Sequence, residues 1–143
     1  MTILEIPRRL VDDLGGNALR AYPEECCGIL IGIPGGSATR SVAKVTALWP
    51  ADNIATGDRA KRYSIAPEVL LRAYMSVRGR DVEVIGYYHS HPDSGAAPSD
   101  RDMAEAAPGV SYLIVAVSGR EILELRSWRL RADRSCFDEQ QII

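Results

Sequence analysis

The stretch Tyr87 to Asp102 reads YYHSHPDSGAAPSDRD, and it holds both histidines of the 143-residue chain, one residue apart. The residues leading into it, from Val82, predict a strand that runs directly into the histidines. On a strand, side chains alternate between faces. His89 and His91 therefore point one way, and Tyr88 and Ser90 the other. Two imidazoles on one face can chelate a single metal ion. Asp102 follows His91 by eleven positions, and the segment between them, PDSGAAPS, is small and turn-forming. Such a loop can fold back and return the carboxylate to the histidines. A His, His, Asp set leaves the fourth tetrahedral position of zinc open, as catalytic sites do; structural sites close it with a fourth protein ligand. The same residues also read as local structure. Ser99 is a good helix N-cap, and Asp102 lies three positions on, near the positive end of the helix dipole. Spacing alone leaves both readings open.

Outward from this stretch the chain alternates helices and strands. Pro7 opens a helix whose Ile6, Leu10, Leu14 and Ala18 recur every four residues, and Pro23 closes it. Gly15-Gly16 costs that helix about 1 kcal/mol per glycine, so a kink or break is expected there. CGILIGI, Cys27 to Ile33, reads as a strand buried on both faces. After the Pro34-Gly35-Gly36 turn, Thr39 to Trp49 is its expected hairpin partner. Pro50 to Lys61 reads as a loop and Arg62 to Ile65 as a short strand. Pro67 opens a second helix, striped by Leu70, Ala73, Tyr74 and Val77 and ended by Gly79. A short helix from Ser99 to Ala107 stops at Pro108-Gly109. Tyr112 to Val117 and Glu121 to Leu130 form a last hairpin. The expected class is α/β: one domain over 1–143, a mixed β-sheet with helices packed on it.

The bulk numbers fit this. Apolar residues make up 46% and charged residues 25%, ordinary globular values. A net charge of −2 argues against nucleic-acid or membrane binding. Three cysteines, two of them adjacent (Cys26, Cys27), make no disulfide framework or zinc-binding pair. No segment is apolar enough to span a membrane, and the N-terminus lacks a signal-peptide core. These readings place the protein in a reducing cytoplasm.

A second element, ECCGILIG from Glu25 to Gly32, stands upstream of the histidines. Together the two resemble the JAMM, or MPN-domain, metalloproteases. Their signature is a glutamate, then His-x-His, ten residues and Asp, with a serine three positions before the Asp. Asn53 and RYSIAPEVL, Arg62 to Leu70, are similar to the prokaryotic branch, and the resemblance runs over roughly positions 7 to 130. It implies a fold like that of cytidine deaminases. It also implies zinc held by His89, His91 and Asp102, with Glu25 as general base and Ser99 steadying the oxyanion. Glu25 is preferred to Glu24 by its place before Cys27-Gly28, and Asp102 to Asp100 by the count from His91. The run from Asp102 to Tyr112 leaves no room for the insertion that holds ubiquitin in eukaryotic members. This resembles minimal bacterial members linked to ubiquitin-like sulfur-carrier proteins ending in Gly-Gly. The resemblance thus implies a zinc peptidase that hydrolyses the amide after the carrier's terminal glycine. The alternatives are a non-catalytic scaffold of the same fold, a DNA-repair-associated relative, and a thiol hydrolase using Cys26 or Cys27.

Overall fold

The computed structural model describes residues 2–36 and 40–143. The element order is β1 (Ile3–Glu5), α1 (Arg8–Ala21), β2 (Cys27–Ile33), β3 (Val42–Ala51), α2 (Pro67–Ser76), β4 (Glu83–Pro92), α3 (Asp100–Glu105), β5 (Ser111–Ser118), β6 (Glu121–Leu130) and β7 (Phe137–Ile142). The strands lie in the order β1-β3-β2-β4-β5-β6-β7, and β7 pairs in parallel with β1, so the mixed sheet closes into a barrel. β4 and β5 also pair in parallel, with α3 in the connection between them.

One face of the central strands packs on α1. Leu10, Leu14 and Ala18 of that helix are buried with Leu4, Leu30, Tyr88, Leu113 and Val115. The other face meets α2, where Ile29, Ile31 and Ala73 are buried among Val69, Leu70 and Tyr87. β2 and β5 are covered on both sides, which is why CGILIGI and SYLIVAVS read as nearly continuous apolar runs. Gly28 is required by this packing. It pairs with Tyr88 across β2 and β4, and a Cβ there would sit 2.3 Å from the Tyr88 ring.

Several details differ from the sequence reading. α1 runs unbroken through Gly15-Gly16, because burial of Leu10, Leu14 and Ala18 outweighs the local glycine cost. Arg62 to Ile65 is not a strand. The Asn53 side chain takes the Ser64 N–H and the Arg62 carbonyl, so these backbone groups are satisfied without a ladder. α3 ends at Glu105, with Ala106 already extended. β1 and β7 have no counterpart in the sequence reading. Thr39 lies outside the described residues, and β3 begins at Val42. Among the described residues no helix is long and apolar enough to cross a membrane.

Candidate metal centre

Strand alternation works as the sequence predicts. His89 and His91 leave β4 on one face and are almost fully buried. Asp102 returns to them from the first turn of α3. Its Oδ2 lies 3.2 Å from His89 Nε2 and 3.0 Å from His91 Nε2, and the two Nε2 atoms are 3.1 Å apart. The capping reading holds at the same time. The Ser99 N–H donates to Asp102 Oδ2 at 2.9 Å, and the Asp102 N–H donates to Ser99 Oγ at 3.0 Å. The capping box is thus the device that fixes the Asp102 carboxylate beside the two histidines. Asp100, the neighbouring carboxylate, is exposed.

The donor set fits a cation. The Gly95 carbonyl can only accept, so the His91 Nδ1 that lies 2.8 Å from it carries the proton. In neutral His91 that leaves a lone pair on Nε2, facing the triad. Two imidazole nitrogens and a carboxylate oxygen thus converge at 3.0 to 3.2 Å from one another. Ligands about 2.0–2.1 Å from a tetrahedral zinc lie about 3.3 Å apart, close to this triangle. Charge perturbations agree with the crowding. Burial alone would raise Asp102, but its hydrogen bonds to His89 and His91 hold the carboxyl far below its usual range. Burial lowers His89. In His91 burial acts in the same direction, but the Asp102 and Gly95 hydrogen bonds outweigh it and raise the pKa.

Glu25 reaches the site through strand register. Cys27 pairs with His89, and the Ser90 N–H donates to the Cys26 carbonyl. Carried one residue further, the register sets Glu25 opposite His91 on the same face. Its side chain is buried, and Oε1 has no hydrogen-bond partner in the structure. Burial pushes its carboxyl up to about 8, opposed by the charge of His91 and reinforced by that of Asp102. Glu24 is exposed. The Glu25 backbone is anchored on both sides: its N–H donates to the Arg59 carbonyl, and its carbonyl accepts from Asn53 Nδ2 at 3.0 Å.

Tyr63 is part of the site, although its segment reads as strand from the sequence. Its ring stacks on His89 with centroids 4.5 Å apart and planes at 24°. Beyond it runs a groove of about 330 Å³ walled by Tyr63, Ile65, Leu70, Tyr87 and Tyr112. Cys26 and Cys27 offer no nucleophile. Burial raises both thiols, Cys27 to about 12, so neither carries appreciable thiolate at neutral pH.

The raised Glu25 carboxyl has a consequence for the metal-free chain. A folded-state pKa of about 8 against an unfolded value near 4.5 means the folded state holds the extra proton between these pH values. Stability therefore falls as pH rises through that window and levels off above it. Glu25→Gln removes the titration. Chelator-treated Glu25→Gln should be more stable than chelator-treated wild type by about 1–3 kcal/mol at pH 8.5, with the gain gone below pH 4.5. Denaturant melts at the two pH values check this, and a gain that is equal at both would contradict it.

The chain is similar to known proteins over most of its length. The model of prokaryotic homologs of the JAB domain matches residues 7–131. The desampylase of Haloferax volcanii is 36% identical over 99 residues, 68% of this chain and 66% of that protein, so the chain spans about two thirds of its length. A Thermus thermophilus protein named a probable TtuB-protein conjugate cleaving protease is 31% identical over 117 residues, 82% of this chain and 72% of that one. The CysO-cysteine peptidase of Mycobacterium tuberculosis is 27% identical over 130 residues, 90% of this chain and 83% of that one. Among solved structures, a Desulfitobacterium hafniense protein superposes with a TM-score of 0.81 at 26% identity, covering 98% of this chain and 91% of that one. A JAB1/MPN domain protein from Archaeoglobus fulgidus gives 0.52 at 16% identity over 100% and 99% of the two chains, a likeness of fold. With a family match that begins just before α1 and ends just after β6, enclosing both the histidine strand and the glutamate opposite it, this chain belongs to the prokaryotic JAB branch of the JAB/MPN family.

Proposed function

We propose that this protein is a zinc-dependent peptidase that hydrolyses the amide after the C-terminal glycine of a ubiquitin-like or sulfur-carrier protein conjugate. The observation that carries the reading is the meeting of His89, His91 and Asp102 at 3.0 to 3.2 Å on the face where Glu25 is buried without a partner. When bound, zinc supplies a Lewis acid that polarises a carbonyl and makes water acidic near neutral pH. His89, His91 and Asp102 hold it, and Tyr63 keeps the His89 ring from turning. A cation in the site favours the ionised form of the Glu25 carboxyl, which then takes the proton of the attacking water and returns it to the leaving amine nitrogen. Ser99 Oγ accepts the Asp102 N–H, which leaves its hydroxyl hydrogen free to donate to the oxygen that gains charge in the transition state.

The substrate class is proposed from the relatives, one of which is named for cleaving a protein conjugate and another as a peptidase. Two features of this chain support it. The aromatic groove beside His89 offers walls for an extended tail, and a glycine backbone can lie against them without a Cβ. The segment after Asp102 is short and braced, by the Ala107 N–H on Tyr112 Oη at 2.8 Å and Arg134 on the Ala106 carbonyl at 2.7 Å. It adds little surface to grip a globular ubiquitin. The full metal set and the buried Glu25 favour catalysis over a scaffold role. The test is hydrolysis of a carrier protein ending in Gly-Gly and joined by a linear amide to cysteine, run beside ubiquitin dimers. Cleavage of the carrier adduct with poor action on ubiquitin is the expected result. Efficient cleavage of ubiquitin dimers, with no action on carrier adducts, would overturn the substrate class.

A further inference from the structure

The Gly95–Ala96 peptide group touches the metal centre at one end and a carboxylate at the other. Its carbonyl accepts from His91 Nδ1 at 2.8 Å, and its N–H donates to Glu124 Oε1 at 2.9 Å. The sheet makes this possible. His91 pairs with Ala116 of β5, and Ala116 pairs with Glu124 of β6, so all three side chains share one face on one row. Because Ala116 is small, the loop after β4 can drop over β5 and reach β6. Ala96 is fully buried there, against Ile114, Ala116 and Trp128. Trp128, two rows along the same face, donates its Nε1–H to the Ala96 carbonyl at 2.8 Å. Arg126 lies between Glu124 and Trp128 in the strand. Its guanidinium covers the Trp128 ring at 4.5 Å and is held by both oxygens of Glu139 at 2.9 and 3.0 Å.

We propose that Glu124 is a positioning residue for His91, acting through the Gly95–Ala96 peptide as the outer carboxylate of a carboxylate–peptide–imidazole relay. Hydrogen bonds in series polarise one another. A carboxylate on the peptide N–H raises the negative charge on the Gly95 oxygen, which holds the proton on His91 Nδ1 and makes Nε2 a better donor. Histidine ligands commonly get this support from a carboxylate or carbonyl in direct contact, and loss of such a partner typically costs about 10- to 100-fold in metal affinity. Here the two are combined in one chain of bonds. The support is one-sided: His89 Nδ1 is buried with no hydrogen-bond partner, so His91 is the ligand whose proton is fixed from outside. Trp128 clamps the next carbonyl and keeps the loop on the sheet.

The inference rests on the reading that His91 holds the ion, and zinc itself is the probe. Zinc affinity is measured by chelator competition on wild type, Glu124→Ala, Glu124→Gln and Glu121→Ala, with melting of the metal-free chains alongside. Glu121 is an exposed carboxylate on the same strand, with no part in the relay. Glu124→Ala should bind zinc about 10- to 100-fold more weakly with an unchanged metal-free melting temperature. Glu124→Gln keeps an acceptor oxygen and should fall between it and wild type, and Glu121→Ala should match wild type. A wild type that binds zinc while Glu124→Ala stays within threefold of it would overturn the relay alone. So would an equal loss in Glu121→Ala, or a loss that tracks a drop in the metal-free melting temperature. A wild type that takes up no zinc would overturn the metal reading, and the relay with it.

Discussion

Glu25→Ala should lower the single-turnover rate of amide hydrolysis by about 10²–10⁴ while leaving zinc content and fold intact. The size follows from the role: a positioned acid–base group contributes about that much, and the other parts of the site are untouched. Retention of metal follows from position. The atoms that converge on the candidate ion site come from His89, His91 and Asp102, whereas Glu25 reaches the same face from β2's side of the register and has an unpartnered oxygen to turn toward water. Glu24→Ala is the internal control, since Glu24 is exposed one position earlier, and its rate should stay near wild type. Zinc is quantified in the same samples. A Glu25→Ala chain that lost its zinc would make the glutamate a ligand, and the base would have to be sought elsewhere. Loss of activity in Glu24→Ala with Glu25→Ala unaffected would shift the assignment by one residue.

The parts of this site that could be read in the sequence are those set by short-range rules. The two-residue period of a strand puts His89 and His91 on one face, and the Ser99–Asp102 spacing is a capping box whichever function it serves. Glu25 is different. It lies more than sixty positions from the histidines, and what brings it there is the Cys27–His89 pairing of β2 and β4, a register that no local pattern states. Only the resemblance to a known family picked it out. Tyr63 escaped for a related reason. Its segment has strand-like composition, but Asn53 caps the backbone groups a ladder would use, and the released chain lays the ring on His89. Glu124 and Trp128 depend on two successive registers and on the small size of Ala116, so their part in the site is visible only once the rows are known. Composition hides the closing strands. β1 has three residues, and β7, FDEQQI, is largely polar. Intrinsic propensity predicts a kink at Gly15-Gly16, which burial of Leu10, Leu14 and Ala18 overrides.

The ligand triad carries the other large effect. His91→Ala removes a nitrogen that meets Asp102 Oδ2 at 3.0 Å and His89 Nε2 at 3.1 Å, and under the proposed function it would leave two protein ligands where a catalytic zinc takes three. Stoichiometric zinc should be lost, and hydrolysis of a carrier amide should fall to background. The thiols should matter little, because Cys26 and Cys27 are buried and held protonated. Both expectations meet in one titration: wild type is stripped with a chelator and given back zinc stepwise, while bound zinc and hydrolysis are followed on the same sample beside His91→Ala. The expected result is no hydrolysis without zinc, full recovery at about one zinc per chain, and no recovery in the variant. Hydrolysis by the stripped wild type, or a His91→Ala chain that still holds one zinc, would contradict it.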